Sequence, residues 1–187
     1  MTALARTPDP GTVPEIEITR FRRWHVRKVL TIERRVYPRP WSASLFFSEL
    51  AQKNTRSYVV ARHEGEVVGY AGMMFTGLEA HITNIAVDPD VQGLKIGTRL
   101  LLRMVTEAIA RGAEQVSLEV RTSNHVAQAM YEKFGFEIVS TRKGYYVETN
   151  EDAFVMVAAG VNTTEYRNRL DRIRAGVPKP RGGPRSA

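Results

Sequence analysis

The sequence predicts a single α/β domain, a mixed central sheet flanked by helices, with an unstructured tail at each end. Three observations carry that expectation. Between residues 15 and 160, segments whose apolar residues fall at every second position alternate with segments where they recur at helical spacing. The 187 residues are 43% apolar, enough for one core of ordinary domain size. Breakers gather at the ends: Pro8, Pro10, Gly11 and Pro14 near the start, and a run rich in Pro, Gly and basic residues from Gly176 to Ala187. The expected organisation is a disordered tail over 1–14, a domain over 15–160, and a basic extension over 161–187 that is helical at first and then disordered.

Taken in order, a strand from Glu15 to Thr19 leads into helices over Arg22 to Val36 and Ser44 to Lys53. Strands follow over Ser57 to Arg62, Val67 to Phe75 and Ala80 to Val87, with Gly65 as the hairpin residue between the first two. The turn Asp88-Pro89-Asp90 stops the last of them. From Ile96 onward Leu100, Leu101, Met104, Val105, Ala108 and Ile109 fall on one helical face. Val116, Leu118 and Val120 then alternate with Ser117, Glu119 and Arg121, the period of a strand from Gln115 to Val120 with one buried and one polar face. Ser123 is a good N-cap for a helix from Asn124. Strands over Glu137 to Tyr145 and Ala153 to Ala159 complete the sheet, and Asn162 to Arg174 forms a short helix with Tyr166, Leu170 and Ile173 on one face. An antiparallel meander followed by a helix-crossed parallel pair makes the sheet mixed.

The chemistry concentrates between Asn84 and Tyr131. The loop Gln92-Gly93-Leu94-Lys95-Ile96-Gly97 sits at the mouth of the helix from Ile96. A helix start exposes unpaired N–H groups and the positive end of the dipole, so it suits a phosphate or pyrophosphate, although glycine spacing alone fits an ordinary strand-to-helix connection equally well. Glu119 points to the polar side of its strand, where a lone glutamate is usually just solvated. Asn124 and Tyr131, seven residues apart, lie on nearly one helical face, and the small Ala127 between them leaves room for a thin linear group. Tyr131 reads either as a functional hydroxyl or as a core aromatic with a wet tip.

Three blocks carry a resemblance. Val87 to Leu101 is similar to the loop written Q/R-x-x-G-x-G/A in the GCN5-related N-acetyltransferase (GNAT) family, Gln92 standing first and Gly97 last. Leu118-Glu119-Val120-Arg121-Thr122-Ser123-Asn124 and Ala129 to Phe136 resemble the LEVR-x-S-N and A-x-x-x-Y-E-x-x-G-F block of the same family. The resemblance implies the acetyltransferase fold and acetyl-CoA as cosubstrate, held by the backbone of Ile85, Ala86 and Val87, by Gln92, Gly93, Leu94, Lys95, Ile96, Gly97 and Thr98, and beside Asn124 and Tyr131. It further implies Glu119 as the base that deprotonates an amine through water, and Tyr131 as the acid that protonates the departing thiolate. Lys95 departs from the pattern, for the family has glycine there. Because Lys95 directly precedes a helix, its φ is expected to be negative, with the ammonium free to meet the CoA phosphates.

A further block, Ile32 to Ser42, together with Asn84 to Val87 and Arg142 to Tyr146, resembles the bacterial members of the family that acetylate the N-terminal alanine of ribosomal protein S18. That implies a groove for a protein N-terminus bordered by Trp41, Tyr145 and Tyr146. Related loops occur in Nα-acetyltransferases of broader scope, and a lysine or small-amine acetyltransferase or a non-catalytic CoA-binding module are the other readings.

Composition bounds the rest. The absence of cysteine excludes disulfides, cysteine-ligated metals and thiol catalysis. His25, His63, His81 and His125 show no metal-ligand spacing, so no metal is expected. No apolar run approaches a membrane span and Met1 to Pro14 lacks a signal-peptide core, so a cytoplasmic location without membrane contact is expected. The net charge is +7, of which residues 161–187 supply +5 from seven Lys/Arg against Glu165 and Asp171. Basicity therefore reads as a property of the tail, which is either simply solvated or drawn to RNA or an acidic partner.

Overall fold

The computed structural model describes residues 15–91 and 94–178. Its elements are β1 (Ile16–Arg20), a 3-10 turn (Arg23–His25), α1 (Val26–Val36), α2 (Ala43–Ala51), β2 (Arg56–His63), β3 (Glu66–Thr76), β4 (Glu79–Val87), a second 3-10 turn (Pro89–Val91), α3 (Ile96–Ala110), β5 (Gln115–Arg121), α4 (His125–Lys133), β6 (Glu137–Tyr146), β7 (Glu151–Ala159) and α5 (Thr164–Ala175). The seven strands form one sheet in the order β1-β2-β3-β4-β5-β7-β6. Every pairing is antiparallel except β4 with β5, the two strands bridged by α3. The chain thus has the expected α/β architecture.

Two hydrophobic clusters lie on opposite faces of this sheet. Successive strand side chains point to opposite faces, so β2 divides its apolar run, sending Val59 and Ala61 to one cluster and Tyr58 and Val60 to the other. On the first face α3 buries Ile96, Leu100, Leu101, Met104, Val105 and Ala108. Each of these side chains larger than alanine contributes roughly 1.5–3 kcal/mol of hydrophobic stabilisation. On the second face α1 and α2 cover β2, β3 and part of β4 with Val26, Val29, Ile32 and Phe46. Val116, Leu118 and Val120 of β5 join the first cluster, so Ser117, Glu119 and Arg121 look out on the second face, beyond the cover of α1 and α2.

The helix expected from residue 22 opens instead as a 3-10 turn, because the Arg22 N–H bonds the His25 Nδ1 at 3.1 Å before α-geometry begins at Val26. The cap of α4 is also one residue later than expected: Asn124, not Ser123, accepts the Ala127 N–H on its side-chain oxygen at 3.1 Å. The Ser123 N–H is engaged elsewhere, on Glu151 Oε1 at 2.9 Å. Finally, α5 packs onto the first cluster through Tyr166 and Leu170, and the Tyr166 hydroxyl donates to the Phe134 carbonyl at 2.6 Å. Two buried side chains and a satisfied hydroxyl draw the first half of the basic segment into the core.

Candidate active site

The site follows from a single irregularity in the sheet. β4 stays paired with β3 as far as Val87 opposite Gly69, but it pairs with β5 only from Glu79–Gln115 to Ile82–Leu118. Gly72 faces Asn84 while Met73 faces Ile82, so Thr83 is an extra residue in β4, a bulge that bends the strand away from its parallel neighbour. Gly72 permits this: a Cβ there would collide with the Tyr58 ring and the Asn84 side chain. Past Ile82 and Leu118 the strands part, and a cleft of about 1180 Å³ opens between them.

One mouth of the cleft is the start of α3. Ile85, Ala86, Val87, Lys95, Ile96, Gly97 and Thr98 line it, Leu94 does not, and Gln92 and Gly93 lie outside the described residues. Among the described residues no side chain caps α3, so its first N–H groups suit an anion. Gly97 faces Met130 of α4, where a Cβ would sit in ordinary contact at 3.4 Å from the sulfur, which fits a position that takes glycine or alanine. Lys95 corrects the expectation about its backbone: φ is 60° and ψ is 18°, the left-handed region. The expectation extended the dihedrals of the first turn to a residue that is the N-cap, and an N-cap lies outside the helix. Holding a lysine there costs of order 1–3 kcal/mol, which glycine would avoid.

The floor of the cleft is Glu119, the first β5 residue beyond the last rung shared with β4. Its side chain is only 10% exposed and is held at both oxygens, Oε2 3.0 Å from His81 Nε2 and Oε1 3.0 Å from Arg142 Nη1. The hydrogen bond with His81, then the charges of His81 and Arg142, hold this carboxyl below the usual carboxylate range against the opposing effect of burial. His81 Nδ1 lies 2.9 Å from Ser117 Oγ, so a polar chain runs Ser117, His81, Glu119, Arg142. Nothing in the spacing of the four histidines sets His81 apart. Its parallel register opposite Ser117 is what brings it to Glu119.

Tyr131 is placed by the way α4 ends. Gly135 has φ +82°, the Phe136 N–H bonds the Tyr131 carbonyl at 3.1 Å, and the Gly135 N–H bonds the Glu132 carbonyl at 2.9 Å. This Schellman closure brings the Phe136 ring against the Tyr131 ring, 5.8 Å between centroids. Tyr131 is therefore both a core aromatic and a wall of the cleft, beside Asn124 and Ala127. Burial pushes its hydroxyl well above the ordinary tyrosine range, so it keeps its proton at any physiological pH.

Trp41, Tyr145 and Tyr146 line the same cleft. The Trp41 N–H donates to Glu33 Oε1 at 2.9 Å and its ring rests on Phe46 at 5.4 Å. Glu33 also accepts from the Tyr70 hydroxyl, and burial raises its pKa. Arg121 stacks 3.7 Å above the Tyr146 ring and binds Glu148 at 2.6 Å and Glu151 at 3.0 Å, fixing the β6–β7 turn. Tyr37, to which sequence spacing gives no role, donates to the Ile85 carbonyl at 3.0 Å from inside the cleft. The cleft thus joins an anion-ready helix start, a buried proton donor and an acidic floor beneath an aromatic rim.

Comparisons with known proteins bear on the family and the fold. The model of the acetyltransferase (GNAT) family matches residues 26–136. The [ribosomal protein bS18]-alanine N-acetyltransferase of Escherichia coli K12 is 36% identical over 127 residues, 67% of this chain and 84% of the relative. The N-alpha-acetyltransferase RimI of Mycobacterium tuberculosis is 42% identical over 121 residues, 63% of this chain and 74% of the relative. The crystal structure of the ribosomal-protein-S18-alanine N-acetyltransferase from Escherichia coli superposes with a TM-score of 0.72 at 32% identity, covering 78% of this chain and 94% of that one.

Proposed function

The chain belongs to the acetyltransferase (GNAT) family, and on that premise we propose that it transfers the acetyl group of acetyl-CoA to the α-amine of a protein N-terminus, the alanine of ribosomal protein S18 first of all. The observation that carries this reading is Glu119 on the cleft floor, between an aromatic rim fit for a peptide end and a helix start fit for a pyrophosphate. Identity to relatives named for that substrate supports it.

The residues present suit acetyl-CoA. The part of β4 that has left β5 offers the backbone of Ile85 to Val87 to the pantetheine amides, while Lys95 to Thr98 meet the phosphates. Acetyl-CoA supplies the activated acyl group. Glu119, kept ionised by His81 and Arg142, attracts the incoming ammonium and takes its proton through water. An α-ammonium with a pKa of about 7.7–8.0 needs little help to deprotonate near neutrality, whereas a lysine near 10.4 needs far more. Tyr131 holds its proton until the thiolate departs and then supplies it. The amine attacks directly, without a covalent enzyme intermediate.

The test is mass spectrometry of acetylation on peptides that share a body but differ in first residue, with an N-blocked lysine peptide and small amines alongside. Acetylation of the free α-amine of the alanine peptide is expected. Faster modification of the blocked lysine peptide or of a small amine would reject the reading.

A further inference from the structure

We propose that a second face of the protein, centred on Trp24, binds single-stranded RNA. A separate cleft of about 860 Å³ lies where the end of β1, the 3-10 turn, α2 and the exposed side of α3 meet, and it shares no lining residue with the acetyl-transfer cleft. Seven cations line it against two carboxylates. Both carboxylates are already matched: Glu49 binds Arg56 at 2.8 Å, and Glu107 binds Arg111 at 2.8 Å and Arg103 at 3.6 Å. Arg20, Arg22, Arg23 and Lys53 have no carboxylate partner among the described residues. The modest +2 outside the basic tail therefore conceals a concentrated patch, for residues 20–28 hold five Arg/Lys and no acid.

Phosphate attraction alone would make this a general polyanion site. Trp24 makes it more specific. A tryptophan is expensive to leave in water, yet this one is 75% exposed, preceded by Arg22 and Arg23 and edge-on to the His25 ring at 5.7 Å, and the Arg23 guanidinium lies 4.9 Å above the partly exposed ring of Phe47. An exposed aromatic face beside arginines that no carboxylate neutralises is the arrangement on which unstacked bases and their phosphates are held together. An acidic peptide offers carboxylates but no flat π-face to cover Trp24. The choice of RNA over DNA rests on the proposed ribosomal substrate.

The experiment is fluorescence anisotropy of a labelled single-stranded RNA of about twelve nucleotides with the full chain at low salt, with Trp fluorescence recorded in parallel and no peptide present. Binding that weakens steeply with salt is expected, together with quenching that Trp24→Ala abolishes. Trp24→Ala should lose about fivefold or more in affinity, and Arg22→Glu with Arg23→Glu about tenfold or more. Arg167→Glu on α5, a charge control outside the cleft, should change affinity less than about twofold. All these variants should acetylate a short peptide at the wild-type rate, which separates this outcome from the fate of the acetylation reading. The proposal is overturned if RNA does not bind or if the Trp24 and Arg22/Arg23 variants bind as wild type. It is equally overturned if a poly-glutamate peptide competes as well as RNA, or if a DNA strand of the same sequence binds more tightly.

Discussion

The β4–β5 seam behaves differently at its two ends. From Glu79 to Ile82 it is an ordinary parallel ladder closed against Gln115 to Leu118, with Ala80, Ile82, Val116 and Leu118 buried. From Asn84 to Val87 the same strand has no partner strand on that side among the described residues, and the residues opposite, Glu119 to Arg121, border the candidate active site. One extra residue, Thr83, and one missing side chain, at Gly72, separate the two regimes. The core end makes the opening possible: β3 stays paired with β4 on both sides of the bulge and β7 runs along all of β5, so the strand bends without losing its place in the sheet.

The largest effect is expected from removing the groups that the open end presents. Glu119→Gln and Tyr131→Phe should each lower kcat by about 10²-fold or more with acetyl-CoA affinity nearly unchanged, as acid–base and orienting roles require. Steady-state rates beside calorimetric titration measure both, and wild-type turnover across pH 6 to 9 would leave these assignments without support. Next comes Gly72→Ala, which forces a methyl into the Tyr58 ring and the Asn84 side chain and should cost about 1–3 kcal/mol or more by denaturant titration. A neutral result would show that the bulge does not need glycine opposite it.

A smaller effect, opposite in sign, is expected at Lys95. Lys95→Gly relieves the left-handed backbone and should raise stability by about 1 kcal/mol, with acetyl-CoA bound at least as tightly. Lys95→Ala keeps the strain and loses the ammonium, so it should bind more weakly, by less as salt is added. If both variants weaken binding equally, charge and not backbone governs this loop.

The smallest effect is in acid. Glu119 and Glu151 both have folded pKa values depressed below 4.5, Glu119 first through His81 and Glu151, at about 2, first through Ser123. Depressed carboxylates stabilise the fold above the unfolded value and lose that contribution as pH falls through the folded one, here from about 4.5 down toward 2. Glu151→Gln should lower the melting temperature at pH 7, where the ionised carboxylate contributes, and flatten its further decline through that window. An unchanged acid slope would remove Glu151 from the account.

Much of this protein is local enough to be read along the chain. The apolar spacing from Leu100 to Ala108 makes a helix wherever it is placed, and the alternation through Leu118 and Val120 already commits Glu119 to the polar face of its strand. The loop ahead of Ile96, the glutamate and the tyrosine stood out for the same reason, since helix starts and strand periods follow from neighbouring residues alone. Register does not. Whether His81 meets Glu119 or solvent depends on which rungs β4 and β5 share, and no spacing between positions 81 and 119 encodes that. Likewise, the sequence around Lys95 identifies a helix start but not the direction from which the chain enters it, and only that direction sets φ at +60°. The patch around Trp24 arises by the same route, as cations from β1, the 3-10 turn, the segment after α2, β2 and α3 are diluted in the composition but converge in space. Short-range periodicity determined the elements and the buried and polar faces of their residues; long-range strand pairing, paid for by burial on both sheet faces, decided which of those residues became neighbours.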